Sequence, residues 1–222
     1  MNMLERVILI VDDNHRVETI DIESYKGIIS DLKTAEGNEK WKNYEFSFVY
    51  KSTMDEAIRY LSDPNQCVDV VVVDCNFEND SRFTNGTKLV VHIRDKLNRF
   101  CKIIFYTMKG IDNIEKAELS ELVNSDVYRI IDKSENNKEI AQCIFDAATQ
   151  KNPIVDSLER FYITYQKLLE TYNYTVFGEE VTFDQIIQHI RMDDEKGRLF
   201  LERLLKKAIL SSTDIGGLSW MP

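Results

Sequence analysis

Short apolar runs alternate with helix-patterned segments five times over the first 150 residues or so, and this alternation restricts the fold more than any other feature. Residues 6–11 (RVILIV), 45–51 (EFSFVYK), 68–73 (VDVVVV), 102–106 (KIIFY) and 127–131 (VYRII) read as strands. Between and after them, residues 17–36, the segment from Thr53 to Leu61, TKLVVHIRDKL, 112–124 and 135–150 read as helices. The run ending at Val73 is apolar almost throughout, which suits a strand covered on both faces. Strands alternating with helices predict a doubly wound α/β fold with a five-stranded parallel sheet and right-handed crossovers. Thr53 with Glu56 forms a capping box, and Asn85-Gly86 marks a turn before the third helix.

The polar residues that end these runs carry the chemistry. VILIV leads into Asp12-Asp13, VDVVVV into Asp74, KIIFY into Thr107 and VYRIID into Lys133. In an open parallel sheet the carboxyl ends of the strands share one edge, where ligands bind. Three carboxylates, a hydroxyl and an ammonium therefore converge there. Paired carboxylates suit magnesium, which takes oxygen ligands and retains waters. Asp74 would serve as both ligand and nucleophile, with Lys133 and Thr107 facing a transferring phosphoryl group.

With these pieces in order, the sequence resembles the receiver domain of two-component response regulators over about residues 4–150. The matching segments are VILIVDDN, VDVVVVDCN, NGTKLVVHIR, KIIFYT and VYRIIDKS. The resemblance implies a flavodoxin-like receiver fold and phosphoryl acceptance on Asp74, with Thr107 as the switch hydroxyl and Lys133 as the family's lysine. It implies Mg2+ held by Asp13, by Asp12 (through a water), by Asp74 and by the Asn76 backbone carbonyl. A histidine kinase or a phosphotransfer protein would be the donor. Four features depart from the family's pattern. Ser134 stands where a proline usually follows the lysine, and Met108 where a small residue usually follows the hydroxyl. Ile130 takes the usual place of the switch aromatic, with Tyr128 two residues earlier. The loop from Asp74 to Gly86 is longer than usual and carries Glu78 and Asp80. These departures keep a phosphorylation-independent pseudo-receiver scaffold open as the alternative.

After Pro153 the pattern is helical only, which predicts an all-α module over residues 151–222, an output or dimerisation element. Its signals are apolar spacing from Val155 to Tyr172, Gly178 as a helix stop, a Thr182–Gln185 capping box and Asp193 as the next cap. Phe161, Tyr162, Tyr165 and Tyr172 are read as core or as a helix–helix interface. The module holds nine Lys/Arg against eleven Asp/Glu, and the whole chain of 222 residues has a formal charge of -10. A nucleic-acid footprint is therefore not expected, although a DNA-binding regulator remains a lesser reading. His15, His92 and His189 are read as surface or structural residues. Four cysteines without CxxC spacing predict reduced thiols in a cytoplasmic protein. The apolar run at Val7–Val11 is too short for a signal peptide or a membrane helix.

Overall fold

A computed structural model of the chain describes residues 3–63, 65–77, 85–98, 100–108, 110–133, 136–150, 153–176, 178–192 and 194–212. Ser134, Glu78, Asp80 and Asp193, singled out above, lie outside the described residues. The chain divides into two compact units, Met1–Lys151 and Asn152–Pro222.

The first unit is built on five parallel strands: β1 (Leu4–Val11), β2 (Tyr44–Lys51), β3 (Val70–Asp74), β4 (Lys102–Thr107) and β5 (Arg129–Asp132). They lie side by side in the order β2-β1-β3-β4-β5. The helices between them are α1 (Ile22–Thr34), α2 (Met54–Leu61), α3 (Gly86–His92), α4 (Lys116–Asn124) and α5 (Asn137–Thr149). A wide helical turn at Val17–Asp21 leads into α1, and another at Ile93–Leu97 extends α3. The doubly wound parallel sheet expected from the alternation is therefore present, its strand bounds shifted by one or two residues.

Side-chain alternation sends every second residue of a strand to the same face. Leu9, Val11, Val71, Val73, Ile103 and Phe105 pack against α2, α3 and α4. Their neighbours Ile8, Ile10, Val70, Val72 and Ile104 occupy the opposite face and are also buried. There α1 and α5 pack together, and an aromatic cluster closes one end. Phe145 of α5 meets Trp41 at 6.3 Å and Phe46 at 5.6 Å between ring centroids. Burial of each such aliphatic side chain contributes about 1.5–3 kcal/mol. Because both faces are covered, the middles of the central strands are apolar: Val7–Val11, Val70–Val73 and Ile103–Phe105.

Local signals set the helix starts. Thr53 Oγ1 accepts from the Glu56 amide at 3.3 Å, and Asn136 Oδ1 accepts from the Lys138 and Glu139 amides at 3.0 and 3.1 Å. Asn85 caps α3 by accepting from the Lys88 amide at 3.2 Å. Such caps satisfy backbone donors that the first helical turn leaves unpaired.

The second unit contains α6 (Pro153–Leu169), α7 (Phe183–Met192) and α8 (Glu195–Ser212). It is helical as expected, but a short antiparallel hairpin of β6 (Tyr174–Val176) and β7 (Glu179–Val181) lies between α6 and α7. Gly178 sits in the hairpin turn at φ 80°, rather than ending a helix. That left-handed conformation suits glycine, which has no Cβ to clash. The core of this unit joins Val155, Val176, Val181, Ile186 and Ile190. Of the four aromatic residues read as core or interface, Tyr162 is buried and stacks on Phe183 at 6.0 Å. Phe161, Tyr165 and Tyr172 are exposed. The Gln185 side chain accepts from the Thr182 amide at 2.9 Å, half of the expected capping box. Asp194 caps α8 by accepting from the Gly197 amide at 2.9 Å, and it meets His189 Nδ1 at 2.5 Å. No helix among the described residues is long and apolar enough to cross a membrane.

Candidate phosphoryl-acceptor site

The site forms where the strands end. Register places Val11 beside Val73, Asp74 beside Tyr106, and Thr107 beside Asp132. Asp12 follows β1 directly, its amide donating to Lys51 O at 3.1 Å. Lys133 follows β5, its amide donating to Thr107 O at 2.8 Å. Residues far apart in sequence are thus held by ordinary sheet pairing.

Gly86 allows α3 to start against the end of β3. Its amide donates to Cys75 O at 2.9 Å, and a Cβ at this position would lie 1.9 Å from the Asp74 carbonyl oxygen. No side chain fits there. The Asn76 amide reaches the site by donating to Asp74 Oδ2 at 3.3 Å.

Asp12, Asp13 and Asp74 each offer a carboxylate oxygen, and these oxygens lie within 4.8 Å of one another. Asp12 is 0% exposed, Asp74 is buried and Asp13 is exposed. Lys133 Nζ contacts Asp12 Oδ2 at 2.6 Å and Asp74 Oδ1 at 3.4 Å. One ammonium set against three carboxylates leaves an excess of negative charge. Burial pushes the Asp74 carboxyl up to about 6. Lys133 opposes that rise, and the Asp12 charge adds to it. An all-oxygen donor set with surplus negative charge fits a hard divalent cation such as Mg2+.

Thr107 ends β4 fully buried, while Met108 beside it is 70% exposed. The long Met108 side chain thus turns largely to solvent rather than filling the cluster. Ile130 is half-buried and packs against the core, and Tyr128 lies near Lys102 Nζ, 5.9 Å from its ring centroid. His15 is on the surface and pairs with Glu18 at 2.9 Å.

Two tyrosines went unread as site residues. Tyr106, counted above within an apolar run, donates its hydroxyl to Asp12 Oδ2. Burial first, then the Asp12 charge and the hydrogen bond to it, hold the phenol well above its ordinary range. Tyr50, one residue before the end of β2, has a buried hydroxyl with no hydrogen-bond partner among the described residues. Burial pushes it up to about 12, and Asp12, Glu18, Asp13 and Glu56 add to the shift. A tyrosine in a buried apolar run such as that of Tyr106 is itself a signal, since a buried phenol usually finds a hydrogen-bond partner.

An all-parallel sheet in the order 2-1-3-4-5, with its ligand edge at the strand carboxyl ends, is the flavodoxin-like arrangement. The first unit therefore has a doubly wound, flavodoxin-like fold. No protein-family model matches the sequence, and no curated protein matches it. Several solved receiver structures are similar to the first unit. A response regulator receiver domain protein (CheY-like) from Methanospirillum hungatei JF-1 is 20% identical with a TM-score of 0.45, covering 64% of this chain and 93% of that one. The non-phosphorylated HemR receiver domain from Leptospira biflexa is 21% identical with a TM-score of 0.44, covering 67% and 98%. The receiver domain of NtrX from Brucella abortus is 17% identical with a TM-score of 0.46, covering 65% and 99%.

Proposed function

We propose that this protein is a response regulator that accepts a phosphoryl group on Asp74, with Mg2+, and thereby switches a protein–protein interaction. The observation that carries this reading is the position of Asp74. It ends a central strand beside two further carboxylates, with Lys133 bridging it to Asp12. A carboxylate oxygen of Asp74 attacks phosphorus, and the bond to the donor breaks. That donor is a phosphohistidine of a kinase or a phosphotransfer protein, or a small phosphodonor. Ionised Asp74 is the nucleophile, so its pKa of about 6 leaves it reactive at neutral pH. Asp13 and Asp74, with Asp12 and the Asn76 carbonyl, would hold Mg2+, which would offset charge on the phosphoryl oxygens. Lys133 shifts from the carboxylates toward those oxygens, and the Thr107 hydroxyl donates to one of them. The altered contacts bias a two-state surface, and residues 151–222 act as the output or dimerisation module in a cytoplasmic protein.

The test is to incubate the chain with Mg2+ and a small phosphodonor and to weigh it. A mass increase that is lost in Asp74→Asn supports the reading. No labelling, together with no Mg2+ binding, overturns it. A second reading, a phosphorylation-independent scaffold, draws on Ile130 at the place of the switch aromatic. A partner complex unaffected by Asp74→Asn would favour that reading.

A further inference from the structure

An ionised carboxylate offers about four lone-pair sites on its two oxygens. Asp12 has three of them taken from within the chain. Its Oδ1 accepts from the Asn14 amide at 2.8 Å, and its Oδ2 accepts from Lys133 Nζ at 2.6 Å and from the Tyr106 hydroxyl. Asp12 and Tyr106 are both buried, and strand alternation puts them on the same face of the sheet. The Tyr106 ring also lies under the lysine, with Nζ 4.7 Å from its centroid. One side chain therefore holds both the acid and the cation paired with it.

We infer that Tyr106 is a positioning residue that withholds Asp12 from direct coordination of a divalent cation, leaving Asp13 and Asp74 as the direct carboxylate ligands. The inference rests on the phosphoryl-acceptor reading only for the choice of Mg2+ as that cation. Removing the hydroxyl returns a lone pair to Asp12 Oδ2 and leaves a buried carboxylate one donor short. A buried charge that loses a donor carries a large desolvation penalty. A cation entering the cluster relieves that penalty, so loss of the hydroxyl favours metal binding. A purely structural role predicts the opposite, because a loosened cluster binds metal more weakly.

The experiment is a calorimetric Mg2+ titration of the full chain, of Tyr106→Phe, of Asp12→Asn and of the double variant. Tyr106→Phe is expected to tighten Mg2+ binding by about tenfold, and the gain is expected to vanish in the Asp12→Asn background. Unchanged or weaker binding in Tyr106→Phe, or a gain that persists without the Asp12 carboxylate, overturns the inference and leaves the phosphoryl reading standing. If the unaltered chain binds no Mg2+ while Tyr106→Phe does, the inference stands and the phosphoryl reading of the native chain falls. If neither binds, both fall.

Discussion

At the scale of single residues, the cluster is a problem of charge. Asp12 and Asp74 are buried, and Lys133 is the cation that contacts both. Asp74 is held up to about 6 in the fold, against about 3.9 for an unfolded aspartate. Between those two values the folded state binds more protons than the unfolded one, so stability falls as pH rises through the window. The penalty is fully present above about pH 6 and absent below about pH 4. A shift of about two units corresponds to roughly 2–3 kcal/mol. Asp74→Asn, in chelator, is therefore expected to raise the urea midpoint at pH 7.5 and to change it little at pH 4.5. Equal gains at both pH values would show that the carboxylate charge is not the cause.

Among the described residues, two junctions that involve a helix bring main chain against a glycine. Gly86 brings the start of α3 against the end of β3, and Gly197 brings α8 against α7, where a Cβ would lie 2.4 Å from the His189 carbonyl oxygen. In both cases the obstacle is main chain, which cannot rotate aside. Gly27 in α1 is the contrast: it is exposed, and nothing lies within 4 Å of its Cβ position. Gly27→Ala is expected to stabilise the chain by about 0.5–1 kcal/mol, because alanine loses less backbone entropy in a helix. Gly86→Ala is expected to cost about 3 kcal/mol, as overpacking does when the surroundings cannot yield. Chemical denaturation of the two variants reads both signs. A neutral Gly86→Ala would mean that the β3–α3 junction relaxes freely.

On the scale of the whole molecule, each unit has its own apolar core. One lies between the sheet and its helices, and the other joins α6, α7 and the hairpin. Separate cores imply separate cooperativity. Gly197→Ala is expected to lower one of two calorimetric transitions and to leave the other, that of the first unit, in place. A single transition shifting as a whole would show that the units unfold together.

Much of this was legible in the sequence, because the signals are local. Residues 68–73 between two helical patterns implied a strand covered on both faces, and five apolar runs implied the parallel sheet. Asp12, Asp74, Thr107 and Lys133 were legible as a group because any parallel sheet gathers its strand ends at one edge. The second unit was less legible. Its hairpin strands are three residues each, too short for alternation to register, and Asp194 caps α8. Arg6 heads an apolar run, yet it is buried with its guanidinium 4.9 Å from the Tyr44 ring centroid. Tyr106 sits within another such run, and its hydroxyl reaches an acid 94 residues away. The sequence by itself determined the layers of the first unit and which polar residues share its edge, since periodicity is a property of neighbours along the chain. Only the tertiary structure decided how the lone pairs of Asp12 are divided, since that depends on which donors the packed strands bring within hydrogen-bonding distance.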